Sequence, residues 1–102
     1  MEISEQRQRF TRYVTYYTEW LTELTGVQHF LPPVQEMSDR ELLEWSVSLK
    51  RHLEKAYRSA IARYYRLAQL RGEALVPVKL RELDLTELKK LYNELSKNEK
   101  TP

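Results

Sequence analysis

Apolar residues recur at helical spacing in three stretches of the chain. Phe10, Tyr13, Val14, Tyr17, Trp20, Leu21 and Leu24 fall three and four apart, behind an N-cap candidate at Ser4 and ahead of Gly26. A second run, Leu42, Trp45, Leu49, Leu53, Ala56, Ala60, Tyr64 and Leu67, forms one stripe with Tyr57 at its edge, and no Pro or Gly interrupts it before Arg71. The third is short: Leu85, Leu88, Leu91, Tyr92 and Leu95. Helices are therefore expected over about residues 4–25, 38–71 and 85–97, with loops at 26–37 and 72–84.

The polar residues between these runs punctuate them. Pro32-Pro33 removes two backbone donors and biases the preceding residues away from helix, so Val27 to Met37 reads as a connection. Ser38-Asp39-Arg40-Glu41 and Asp84-Leu85-Thr86-Glu87 each have the form of a capping box, and Gly72 is placed as a C-cap. Ala74 to Leu83, with Val76-Pro77-Val78, reads as an extended strap. No alternating strand pattern occurs, and the stripes are wider than a coiled-coil seam. The fold class expected is all-α: one domain over 1–102, a small helical bundle built on a long antiparallel helical hairpin plus a short third helix.

Composition narrows the function classes. A chain of 102 residues, 41% hydrophobic and 31% charged, supports one core but little enclosure for a deep substrate pocket. With no Cys there are no disulfides, no thiolate chemistry and no Cys-based zinc site. MEISEQRQRF is polar and no apolar run approaches a membrane span, so the expectation is a soluble, cytoplasmic chain with no membrane partner.

The formal net charge of +2 hides a strong asymmetry. Residues 1–26 hold three Arg against four Glu, and residues 27–49 hold Arg40 against Glu36, Asp39, Glu41 and Glu44. Residues 50–71 reverse the sign, with Lys50, Arg51, Lys55, Arg58, Arg63, Arg66 and Arg71 against Glu54 alone. At about 100° per residue, Arg51, Lys55, Arg58 and Arg66 lie opposite a stripe centred on Leu42, with Arg63 and His52 at its border. In an antiparallel hairpin Arg7, Arg9 and Arg12 would come alongside residues 52–57 and join this basic face. The other end would collect Glu19, Glu23, Glu36, Asp39, Glu41 and Glu44. A rod with one basic and one acidic end suits head-to-tail stacking of copies.

Catalytic constellations are missing. His29 and His52 belong to no HExxH and have no second His or Cys at ligand spacing. Ser46, Ser48 and Ser59 lie on a helix without a nucleophile elbow, and two glycines make no phosphate-cradling loop. Neither a catalytic residue, a metal site nor a cofactor is expected. Seven cations to one acid over six turns forgo the intrahelical pairing of a merely soluble helix, and Arg outnumbers Lys five to two, which suits bidentate phosphate contact. Tyr57 and Tyr64 read as core, Tyr16 and Tyr65 as facing solvent or an edge.

The expected function is a non-catalytic accessory subunit that holds a nucleic-acid backbone, single strand or guide–target duplex, within a larger complex. Its site would be Arg7, Arg9, Arg12, Lys50, Arg51, Lys55, Arg58, Arg63 and Arg66. Protein subunits would meet its acidic end. The alternative is a protein–protein adaptor whose basic helix binds an acidic surface. With the cationic run Lys50 to Arg71 on a long helix beside the N-terminal arginines, residues 4–95 resemble the small helical subunits of CRISPR RNA-guided effector complexes. That resemblance implies several copies stacked along a ribonucleoprotein complex of antiviral defence.

Overall fold

The computed structural model describes residues 5–73 and 78–99. It is all-α there: α1 spans Glu5–Thr25, α2 spans Asp39–Leu70, and α3 spans Leu85–Glu99, with a single 3-10 turn at Leu80–Glu82 where an extended strap was expected. The Ser4 cap and residues 74–77 of the strap lie outside the described residues. The chain divides into two compact units, Met1–Leu53 and Glu54–Pro102.

The helix ends form where the sequence places their signals. At the start of α2 the Glu41 amide donates to Ser38 Oγ at 3.1 Å, and the Ser38 amide donates to Glu41 Oε1 at 3.2 Å. The same reciprocal pair opens α3, from the Glu87 amide to Asp84 Oδ1 at 2.8 Å and from the Asp84 amide to Glu87 Oε1 at 3.2 Å. Each box satisfies two helix-terminal amides that would otherwise lack acceptors. At the end of α2, Gly72 takes φ +78° and donates to the Gln69 carbonyl, while the Glu73 amide reaches back to Ala68; this double closure is a Schellman motif. Gly26, at φ +72°, closes α1 more simply on the Thr22 carbonyl.

In the first unit, α1, the loop and the start of α2 are locked together by polar contacts. The loop turns back along α1: the His29 amide donates to Thr22 Oγ1 at 3.0 Å, and further on Arg7 donates to the carbonyls of Val34 at 3.0 Å and Gln35 at 3.3 Å. Arg7 also bridges to Asp39 Oδ1 at 2.9 Å, so α1 and α2 begin side by side. Leu31 lines a groove with Thr15 and Thr18, and the next two residues, Pro32 and Pro33, line another with Glu41, Trp45 and Ser48, so α2 rises along the loop in the same direction as α1. The all-α bundle of two long packed helices and a shorter third stands; the antiparallel sense of the hairpin is corrected to parallel. Length allows it. Residues 26–38 can span roughly 40 Å when extended, more than the roughly 30 Å of the 21-residue α1. Counting equal rises from the Arg7–Asp39 bridge sets Phe10 level with Leu42, Val14 with Ser46, Tyr17 with Leu49 and Leu21 with Leu53.

Val14, Thr18 and Leu21 of α1 and Leu42, Ser46 and Leu53 of α2 are the buried positions of this unit. The two buried hydroxyls are satisfied locally, Thr18 on the Val14 carbonyl at 2.7 Å and Ser46 on that of Leu43 at 2.8 Å. In the second unit Tyr57, Ile61 and Ala68 of α2 are buried, as are Leu85 and Leu88 of α3. The Tyr92 ring meets those of Tyr57 and Tyr64 at centroid distances of 5.5 and 5.9 Å. The expected α2 stripe is therefore shifted: Trp45 and Leu67 are exposed at 44% and 38%, and Ser46, Ile61 and Ala68 take the buried places.

Candidate nucleic-acid interface

The cations singled out from the sequence fall into two groups. Arg7 and Arg58 are engaged by the fold. Arg7 holds Asp39 and two loop carbonyls, which fixes the start of α1 to the start of α2. Arg58 donates to Glu54 Oε2 at 3.1 Å, one turn back on α2; both side chains are partly buried, and the Arg58 Nε is buried without a hydrogen-bond partner. Their guanidinium groups are committed to these contacts.

The second group faces solvent. In the first unit Arg9, Arg12, Lys50 and Arg51 are exposed, and in the second Lys55, Arg63 and Arg66. None of the seven has an ion pair among the described residues, whereas Arg40 at the start of α2 is matched by Glu44 at 3.3 Å. Lys50 and Arg51 are adjacent in the first unit, and in the second Arg63 and Arg66 stand three apart, about 4.5 Å of helix rise.

Parallel packing changes which charges are neighbours. Arg7, Arg9 and Arg12 lie level with residues 39–44 of α2 and not with residues 52–57, so the basic face expected from two helices together does not assemble. The acidic end dissolves for the same reason. Asp39, Glu41 and Glu44 sit at the Arg7 end of the first unit, while Glu19 and Glu23 lie toward the other end of α1. Head-to-tail stacking of copies loses the charge separation on which it was based.

Other polar groups are structural. His29 Nε2 lies 3.2 Å from Thr25 Oγ1, which also accepts the Val27 amide, so the imidazole anchors the turn after α1. Thr15, Thr18, Thr22 and Thr25 each donate to the carbonyl one turn back. Thr15, Thr18 and Thr22 line a groove with Glu19, Glu23, Gln28, His29 and Leu31, and its hydroxyls are already in use. Glu41 is held below the ordinary carboxylate value by the Ser38 amide and then by the Ser38 hydroxyl. Among the described residues no group of three or more His, Asp or Glu side chains is placed to hold a metal ion, and no helix is long and apolar enough to cross a membrane.

The aromatic side chains of α1 order one another. Tyr13 and Tyr17 stack with centroids 5.7 Å apart and planes 5° from parallel, and Tyr16 and Trp20 do so at 6.4 Å and 10°. Tyr17 and Trp20, at 5.5 Å, join the two pairs into one row. The spacing i, i+4 in YVTYYTEW was its sequence signal. Comparison of the chain with family models, with curated proteins and with solved structures finds no match.

Proposed function

We propose that this protein is a non-catalytic helical subunit that holds a nucleic-acid backbone through phosphate contacts, within a larger nucleoprotein assembly of the kind its resemblance implies. The observation that carries this reading is the set of exposed cations without ion-pair partners among the described residues, namely Arg9, Arg12, Lys50, Arg51, Lys55, Arg63 and Arg66. Unneutralised arginine on a helix surface is a ready phosphate ligand, and each phosphate it neutralises releases condensed counterions. Arg7 and Arg58 leave the proposed site because the fold already uses them.

The test is fluorescence anisotropy of a labelled single strand of about 30 nucleotides at about 50, 100 and 200 mM salt. Binding should weaken as a power of salt, with a log–log slope of about 0.7 per phosphate neutralised, and the R51E/K55E/R66E variant should lose both affinity and slope. Absence of binding at the lowest salt, or a variant that binds like the parent, refutes the reading. One observation favours the adaptor alternative: Phe30 is 82% exposed in the loop, between Val27 at 62% and Leu31 at 47%, a composition suited to a protein contact. In that case Phe30→Ser, and not the charge reversal, would abolish association with the partner.

A further inference from the structure

Two rings of the aromatic row of α1, Tyr13 and Tyr16, face solvent. Tyr13 and Tyr16 are 39% and 46% exposed, although each stacks on a ring one turn ahead of it. By helical counting both stand well away from the buried side of α1 marked by Val14, Thr18 and Leu21. Arg9 and Arg12, exposed and without ion pairs among the described residues, precede Tyr13 and Tyr16 by one turn each. Glu19 and Glu23 follow on the same helix, so the row is cationic at its N-terminal side only.

We propose that this row is a stacking platform for unpaired nucleobases, with the strand's phosphates held at Arg9 and Arg12. The inference rests on the backbone-holding reading and specifies its ligand: single strand, with bases exposed, in preference to duplex. In a duplex the base faces are already stacked on one another and unavailable. Every base has a π-face, so stacking on tyrosine is sequence-tolerant, and it complements a backbone contact that is also indifferent to sequence. The rings are pre-ordered by their own intrahelical stacking, which lowers the entropy lost on binding. Guanidinium groups one turn away supply charge complementarity to the phosphates that flank a stacked base.

The experiment uses the full chain and three labelled ligands of equal length: a mixed-sequence single strand, a single strand carrying abasic sites throughout, and a duplex. The intact strand should bind about tenfold or more tightly than the abasic strand, which carries the same phosphates. The Y13A/Y16A variant should lose that difference while keeping its salt slope, and Y13F/Y16F should restore it. Circular dichroism should show that the variants remain helical. Equal affinity for intact and abasic strands overturns the platform and leaves the backbone reading intact. Failure of all three ligands to bind overturns both. Self-association of the parent that Y16A abolishes assigns the row to a second copy and also overturns the proposal.

Discussion

Replacing Arg7 by alanine tests the parallel arrangement of α1 and α2 at the contact that defines it. The guanidinium makes a 2.9 Å bridge to Asp39 and donates to the carbonyls of Val34 and Gln35 at 3.0 and 3.3 Å. Its side chain is 24% exposed, against 55% for Asp39. The ion pair is half in water, so solvent screening limits it to about 0.5 kcal/mol. The two carbonyl contacts are hydrogen bonds from a charged donor, of which the shorter is the better, and together they contribute about 1.5 kcal/mol. Arg7→Ala should therefore cost about 2 kcal/mol. In urea, with a slope of roughly 1.5 kcal/mol/M for a chain of this size, the midpoint should fall by a little over 1 M. Asp39→Asn, which spares the carbonyl bonds, should cost under about 1 kcal/mol, and the double variant should cost less than the two single losses together. Arg9→Ala is the control, expected within about 0.5 kcal/mol of the parent. A loss for Arg7→Ala no larger than for Arg9→Ala, or strict additivity with Asp39→Asn, would refute the side-by-side helix starts; an antiparallel pair would leave Arg7 and Asp39 uncoupled.

Further outcomes follow from the packing and the caps. Ile61→Ala, at a fully buried site, should cost roughly 2–5 kcal/mol by thermal or urea unfolding, whereas Trp45→Ala, at a site 44% exposed, should cost clearly less; the reverse order would restore the stripe expected from the sequence. Gly72→Ala, at φ +78° with open space around the added Cβ, should lose about 1 kcal/mol through backbone strain alone, and Gly72→Asn should lose less. Glu41 titrates below its ordinary value because the Ser38 amide and hydroxyl favour the carboxylate. A depressed folded-state value means that its stabilisation is present above the unfolded-state value and is lost as pH falls through the folded one. Stability measured from pH 6 down to pH 3 should therefore decline less in Glu41→Gln than in the parent, and identical pH profiles would count against the box.

The parts of the fold that were legible in the sequence are those set by neighbours within four residues. Both capping boxes, the αL turn at Gly26 and the Schellman turn at Gly72 depend on local chemistry, and each formed where its residues stand. The direction of α2 was not legible, because residues 26–38 can either turn sharply or return along α1. What decides it is the contact of Arg7 with Val34, Gln35 and Asp39, groups 27 to 32 positions away. The loop's length was a clue, since helix connections in antiparallel bundles are usually shorter. The buried face of α2 failed differently: helical periodicity defines a stripe but not its centre, and hydrophobicity alone favoured Trp45 over Ser46. At the candidate site the sign of the charge could be read, and so could the i, i+4 relation of Glu54 and Arg58. That Arg58 is partly buried and Arg66 exposed without an ion pair among the described residues required the packing.

The returning loop also sets how the first unit folds. In an antiparallel hairpin, contacts next to the turn join residues about 13 apart, and pairing then zips outward. In the parallel pair every α1–α2 contact on the shared register joins residues about as far apart as Arg7 and Asp39, a separation of 32. No short-range contact starts the zipper, and closing the larger loop costs roughly 0.7 kcal/mol more entropy at the first encounter. Folding should accordingly be slower than for an up-and-down helical pair of equal stability. A local contact that can serve as nucleus is the Thr22–His29 hydrogen bond, seven residues apart, which should lay the loop against α1 before α2 arrives. If the threonine edge of α1 acts as a kinetic template, Thr22→Val should slow folding more than it speeds unfolding, and the connection that looks like a tether should be the first piece of tertiary structure to form.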